Sequence, residues 1–331
     1  MGGDYNAWHF CNFALQFDMN TIGNMDNTLN FKSIDGLFDK HCADISVVAV
    51  NPVDEHSIAV MLRCLSRGIK RLMLCVADSA DVLPADLVSD ARVAIVSCTD
   101  VDDAARHAVA LAHCGEADVI FKGFINTDNL LHAVLDKQVG LLDPGWVMTH
   151  ITAAYTPEYH KLLLFSDAAV IPYPTEEQFG AMVGYGVTLL HFFGVDTPKV
   201  ALIHFTEKTN PKFPVTTAYA SVKSLAESGS IAGAEIAGPM DVKTACDRHA
   251  ADIKMLEGCV AGNADMLVFP DLEAANTFYK TISLFGRATM AGIICGCRVP
   301  IVIPSRADSV ESKFTSLAFA CVAKKAFTIN E

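Results

Sequence analysis

The sequence contains no run of Lys and Arg, no apolar stretch of membrane-spanning length and no C-x-x-C pair, and each absence removes a class of function. Asp and Glu number 38 against 25 Lys and Arg, a formal net charge of −13, so phosphate backbones and anionic lipid are repelled wherever no basic patch intervenes, and only isolated cations are found. Half of the residues are hydrophobic, yet charges or turn residues interrupt every apolar run before the roughly 18 residues a membrane helix requires. These features argue against nucleic-acid and membrane partners. The 11 cysteines sit mostly inside apolar stretches, as at Cys64, Cys75, Cys259 and Cys321, and read as buried reduced thiols in a cytoplasmic protein. Cys295 and Cys297 are the one close pair; two apart on a strand they could share a face, but without further ligands at recognisable spacing they read, like the others, as buried reduced thiols.

Further absences narrow the chemistry. No G-x-G-x-x-G follows the first strand pattern and no G-x-x-x-x-G-K-[ST] occurs, so the usual dinucleotide and Walker phosphate loops are excluded. G-x-S-x-G and H-E-x-x-H are also missing, which argues against serine hydrolysis on a nucleophile elbow and against zinc proteolysis.

What is present is a regular alternation. Short strand patterns such as ISVVAVN (45–51), RLMLCVA (71–77), RVAIVSC (92–98) and ADVIFKG (117–123) alternate with helical patterns, which predicts a parallel sheet covered by helices on both sides. A Gly/Pro-rich break at GLLDPGW (140–146) precedes a second α/β series ending in the strand AGIICG (291–296). A chain of 331 residues exceeds a usual single domain. The expected division is a poorly ordered extension over 1–30, a first α/β domain over 31–145 plus 298–331, and a second over 146–297. Residues 1–29 have neither a basic n-region nor a small-residue cleavage site, and a start at Met19 or Met25 is one reading of them. One internal echo links the halves: Gly115-Glu116-Ala117-Asp118 resembles Gly262-Asn263-Ala264-Asp265, each a turn feeding a strand. A shared design and independent use of one good turn both account for it.

In open α/β sheets, ligands bind beyond the carboxyl ends of strands. Polar residues gather there: Lys122-Gly123 after ADVIF, Asp167 after KLLLFS, Glu207-Lys208 after ALIHFT, Pro270-Asp271 after MLVF and Ser305-Arg306 after IVIP, with Thr149-His150 inside VMTHI. Any one of these could be an ordinary solvated strand end. The segment from Val299 to Lys313 is the most informative. It releases Ser305, Arg306 and Asp308 before a helical pattern in which Val310, Phe314, Leu317 and Cys321 share a face. Asp308 with Glu311 fits a capping box, which accounts for the aspartate. Arg306 is left beside a helix N-terminus, where backbone N–H groups and the helix dipole favour anions. The pair suggests a phosphate or carboxylate site. Lys122 supplies a second point charge, and Gly123 permits close backbone approach. Asn276 and Lys280 lie four apart on one helical face, with Tyr279 between them; an ordinary exposed face explains them equally well.

ADVIFKGFINT (117–127), AVLDKQVGL (133–141), NPKFPVT (210–216), AGPM (237–240), VAGNADMLVFPDLEAANTFYK (260–280) and PSRADSVESKF (304–314) together resemble, in order, the phosphate acetyltransferase and phosphate butyryltransferase family, closer to the butyryl branch. The resemblance implies two doubly wound α/β domains with a cleft between them, the isocitrate/isopropylmalate dehydrogenase-like architecture, assembled as a homodimer. It further implies conversion of a short-chain acyl-CoA and phosphate to acyl phosphate and CoA, with coenzyme A as substrate and no tightly bound cofactor or metal. Under it Arg306 binds phosphate, Ser305 donates to a carbonyl or phosphate oxygen, and Asp308 is a candidate base. Lys122, Gly123, Thr127, His150, Asn276, Tyr279 and Lys280 complete the substrate pocket.

The chain departs from the family pattern at four places. Leu130-Leu131-His132 stands where the family carries an arginine, and Gly140-Leu141-Leu142 replaces G-L-R. Gly184-Tyr185 replaces an asparagine pair, and Gly238-Pro239-Met240-Asp241-Val242-Lys243 replaces GPLALD. These departures leave a second expectation open, a non-catalytic or altered-substrate relative that keeps the cleft for a CoA-like or phosphate ligand.

Overall fold

The computed structural model describes residues 31–77 and 82–328. The expected extension over 1–30 lies outside them. Helix α1 (Phe31–His41) leads through a 3-10 turn to β1 (Ser46–Val50), followed by α2 (Glu55–Ser66), β2 (Arg71–Val76), α3 (Ala85–Val88), β3 (Val93–Ser97), α4 (Val101–His113), β4 (Val119–Lys122) and α5 (Thr127–Val134). The second series is β5 (Thr149–Tyr155), β6 (Leu163–Ser166), α6 (Glu176–Phe192), β7 (Lys199–Ile203), α7 (Pro214–Glu227) and β8 (Glu235–Met240). It continues through α8 (Val242–Cys246), α9 (Arg248–Ile253), β9 (Met266–Val268), α10 (Leu272–Leu284) and β10 (Thr289–Cys295). β11 (Ile301–Val302) and α11 (Val310–Thr328) come last.

The eleven strands among the described residues join one sheet in the order β3-β2-β1-β4-β11-β10-β5-β6-β9-β7-β8. It is mixed rather than parallel. β3, β2, β1, β4 and β11 run one way, β10 and β5 are each antiparallel to both neighbours, and β6, β9, β7 and β8 run the other way. The two parallel blocks therefore point in opposite directions. This corrects the expectation that the polar strand ends converge on a single edge. Lys122 and Ser305-Arg306 follow strands that end at one edge, while Asp167, Glu207 and Asp271 follow strands that end at the other.

Buried side chains explain the layers. On one face a single cluster packs α1, α2, α6, α7 and α11 against the sheet through residues such as Phe121, Ile151, Ile293 and Val302. The opposite face carries two separate clusters, one beneath α4 and α5 and one beneath α8 and α10. His150, Thr152 and Gly292 lie on the central strands where those two clusters part. Cys295 belongs to the first face and Cys297 to the other, so they do not share a side, because the left-handed Gly296 (φ +82) turns the chain between them. The ten cysteines among the described residues are free.

Helix α11 is buried almost all round from Lys313 to Ala323, where the sequence pattern gave it one apolar stripe. It is wedged between β10 and the helices α1, α2 and α6, and its small residues Ser316, Ala318, Ala320 and Ala323 permit that close approach. β8 carries Gly238-Pro239, an unusual pair for a strand. The strand is at the sheet edge, where a proline costs no ladder bond.

The internal echo is a repeated device. Gly115 (φ +77) and Gly262 (φ +74) both turn the chain in the left-handed region. Each is followed by an aspartate that accepts from the first residue of the neighbouring parallel strand: Asp118 Oδ2 from Ser46 N–H at 2.8 Å, and Asp265 Oδ2 from Lys199 N–H at 2.8 Å. Both aspartates return the bond through their own N–H, to the Ser46 and Lys199 carbonyls. The two halves thus start paired strands in the same way.

Candidate functional site at the ends of β4 and β11

β4 and β11 are neighbours in parallel, so the residues that follow them emerge side by side. The β4 end is held rigidly. A Cβ at Gly123 would lie 2.6 Å from the Val50 carbonyl oxygen and 2.7 Å from that of Asn51, so the glycine is required by backbone packing alone. Asn51, left-handed at φ 49, donates to the Phe124 carbonyl at 3.1 Å and accepts from Ala77 N–H at 3.2 Å, tying the ends of β1, β2 and β4 together. We expect Gly123→Ala to lower the melting temperature by several degrees and weaken anion binding with it, since a clash against backbone cannot be relieved by a side-chain rotation; differential scanning calorimetry with and without phosphate reads both effects.

Lys122 is only 4% exposed, and its Nζ donates to the Pro304 carbonyl at 3.4 Å. Burial pushes its pKa down, the nearby Arg306 and Lys313 push the same way, and Asp54 and Asp308 oppose them. Lys122 on β4 and Arg306 and Asp308 on the turn after β11 therefore act on one another electrostatically. Arg306 Nη2 donates to Asn126 Oδ1 at 2.7 Å, and its guanidinium lies 5.0 Å from the centre of the Phe124 ring. That is its one hydrogen bond among the described residues, so most of an exposed, fork-shaped donor set faces solvent. Thr127 is the first residue of α5, beside Asn126, and half-buried.

The turn carrying Arg306 is closed by Asp308, whose Oδ2 accepts from Ser305 N–H at 2.7 Å. The expected capping box is not formed. Ser309 Oγ accepts from Ser312 N–H at 3.2 Å and caps α11, while Glu311 reaches across to Arg63. Asp308 is spent on the turn instead, and the His56 ring nitrogen Nδ1 lies 2.9 Å from its carbonyl oxygen. Ser305 is exposed at the head of this turn.

From the other half only α10 reaches toward this edge among the predicted residues. It begins at the opposite edge, and its far end returns here, where Thr156 Oγ1, beyond β5, donates to the Gly286 carbonyl at 2.7 Å. Tyr279 is half-buried, and burial first and Asp308 second raise its pKa. Lys280 is exposed with its ammonium 4.7 Å from the Tyr279 ring centre. Asn276, one turn earlier, donates to the Ala168 carbonyl at 3.0 Å and belongs with a second polar group. There the buried Asp167 accepts from Thr149 Oγ1 at 2.7 Å, His150 N–H at 3.0 Å and the N–H groups of Ala169 and Val170 at 2.9 Å. His150 lies against Gly292, where a Cβ would stand 2.6 Å from its Nε2, and burial lowers its pKa against the pull of Asp167. His150 and Asn276 are thus placed by this second network rather than by the Arg306 turn.

Sequence reasoning missed Asn51, Asp54, Asn126 and Lys313. Asn126 had a signal, a cap-type residue before a helix that leaves its own backbone uncapped. Lys313 had none, because it occupies a position on a helix whose apolar stripe appeared to be complete. The departures from the family pattern sit elsewhere. His132 lies in a groove of about 610 Å³ between α4 and α5 with Asp102, Asp103, Arg106, His107 and Asp136. Leu142 packs on the cluster under those helices, and the Tyr185 ring stands 5.9 Å from Phe327.

Comparison with known proteins gives this geometry a family. A phosphate butyryltransferase of Clostridium acetobutylicum is 37% identical over 228 residues, 69% of this chain and 75% of that protein. A phosphate acetyltransferase of Thermotoga maritima is 36% identical over 228 residues, 69% of this chain and 77% of its own length. The one-point gap between them does not choose an acyl group. The crystal structure of a branched-chain phosphotransacylase from Enterococcus faecalis superposes with a TM-score of 0.75 at 28% identity, covering 85% of this chain and 99% of that one. With the family described as phosphate acetyl/butaryl transferase matching residues 39–321, the chain belongs to the phosphate acetyltransferase and phosphate butyryltransferase family.

Proposed function

We propose that the protein transfers a short-chain, butyryl-like acyl group between CoA and phosphate, in a cleft between a domain of residues 31–145 plus 298–331 and a domain of residues 146–297. The reading rests on one observation above the others: Arg306, with most of its donors unspent, beside the buried Lys122 at the ends of two adjacent strands. Phosphate is the ligand suited to a guanidinium fork and a point charge together. A phosphate oxygen attacks the thioester carbonyl, the C–O bond forms, and collapse of the tetrahedral intermediate breaks the C–S bond and sends the electron pair to the CoA sulfur. The exposed Ser305 hydroxyl serves as donor to the developing oxyanion. Asp308 holds the turn and stands as the carboxylate that takes a proton from the CoA thiol in the reverse direction.

A thiol-release assay with acyl-CoA substrates from acetyl to hexanoyl, at varied phosphate, tests the reading. The expected result is phosphate-dependent CoA release, fastest near the four-carbon acyl group. CoA binding by calorimetry with no release from any member of the series would replace the enzyme with a ligand-binding relative.

A further inference from the structure

We propose that Lys313 is a positioning residue of the phosphate site, a buried ammonium held by Asp54 that sets the charge and placement of Lys122 without touching substrate. The inference rests on the function proposed above. Lys313 lies in the first turn of α11, directly after the turn that carries Ser305, Arg306 and Asp308, and is only 4% exposed. Its Nζ is 3.3 Å from Asp54 Oδ1, and Asp54 caps α2 by accepting from Ser57 N–H at 3.0 Å. The pair therefore ties the start of α11 to the start of α2, and α11 packs against β4, which carries Lys122, and against β11. Of the charges that act on Lys122, Arg306 and Asp308 come from the turn after β11, Lys313 from α11 and Asp54 from the head of α2, and the Pro304 carbonyl lies within reach of the Lys122 Nζ.

Stability does not account for a lysine here. Desolvating an ammonium costs several kcal/mol, and a single partner at the upper end of ion-pair distance offsets that poorly. The N-terminal turn of a helix is also the wrong end for a cation. What Lys313 adds is positive charge, which raises the attraction of the site for a dianion and, after burial and Arg306, helps Lys122 lose its proton at lower pH than an ordinary lysine.

The sign of the test follows. Removing the Lys313 charge takes away a repulsion and frees the Asp54 carboxylate, and both changes favour protonated Lys122, so its titration moves up in pH. The experiment is a pH titration of the full-length protein labelled with 15N-lysine, with the Lys122 resonance assigned by its loss in Lys122→Arg. Lys313→Met should shift the Lys122 midpoint upward, and Lys313→Arg should leave it near wild type. Lys313→Gln, which removes the charge but can still donate to Asp54, should shift it in the same direction and serves if the methionine variant folds poorly. In steady-state assays the KM for phosphate should rise with kcat little changed, and the alkaline limb of the phosphate profile should follow the NMR midpoint. A Lys122 midpoint that does not move in either neutral variant overturns the proposal, even if melting temperatures fall. The titration reads Lys122 whether or not the protein turns over an acyl-CoA, so an absence of thiol release counts against the proposed function and an unmoved midpoint counts against Lys313.

Discussion

Arg306→Ala should reduce phosphate-dependent acyl-CoA turnover at least tenfold while leaving the melting curve where it was. The two effects separate because of where the residue sits. Arg306 is exposed on the turn between β11 and α11, so its truncation opens no cavity, and its one side-chain hydrogen bond among the described residues goes to Asn126, which is itself exposed. Surface losses of this kind change stability by only about half a kcal/mol. A guanidinium hydrogen bond to a bound phosphate contributes roughly 1.5 to 3 kcal/mol, a factor of about 10 to 150. Lys122 cannot substitute, since it is buried, offers a point charge rather than a fork and is engaged with the Pro304 carbonyl. Initial rates against phosphate concentration, paired with thermal melts of both proteins, check the separation. A mutant that melts early and loses activity in proportion would make Arg306 structural.

The second large effect is expected in the other half of the molecule and concerns stability alone. Asp265→Ala should lower stability by about 3 to 5 kcal/mol, whereas Asp118→Ala should cost about 1 to 3 kcal/mol. The two aspartates perform the same task, each accepting the first N–H of a neighbouring strand, at Lys199 and Ser46. Asp265 has one further partner: its Oδ1 lies 2.6 Å from Lys161 Nζ, in a pair that is largely removed from water on both sides. Removing Asp265 strands that ammonium, and the Asn263 carbonyl at 2.8 Å is left as its acceptor. Against a typical total of about 5 to 15 kcal/mol, the difference is easily read from urea midpoints of the two variants. Equal midpoints would show that the Lys161 pair contributes nothing beyond the shared strand-start device.

The pattern of elements was legible because it is local. Hydrophobic runs, Gly ends of helices and the left-handed turns at Gly115 and Gly262 are written in consecutive residues, and the strands and helices they predict are found. The direction of the strands was not legible. Whether β6 runs with or against β1 depends on how the chain re-enters the sheet through β5 and β10, and a parallel block yields the same sequence pattern in either direction. For that reason Lys122, Ser305 and Arg306 follow adjacent parallel strands and emerge at one edge, while Asp167, Glu207 and Asp271, indistinguishable from them in the sequence, follow strands that end at the opposite edge. Asp308 illustrates a different limit. Its spacing to Glu311 satisfies a capping box, yet the tight Ser305–Asp308 turn claims the carboxylate first and Ser309 takes over the cap. Lys313 was invisible because a charged residue inside a helical stripe reads as solvent-facing until α1, α2 and α6 are seen to enclose α11 from every side.

The most direct test of the central claim is to follow the products by 31P NMR while the wild-type protein acts on butyryl-CoA in phosphate. The account predicts an acyl phosphate resonance that grows in step with free thiol, one for one, and reverts when CoA is added in excess. Thiol released with no acyl phosphate formed, at a rate indifferent to phosphate, would mean that water and not phosphate is the acceptor, and would contradict a phosphate site at Arg306 and Lys122.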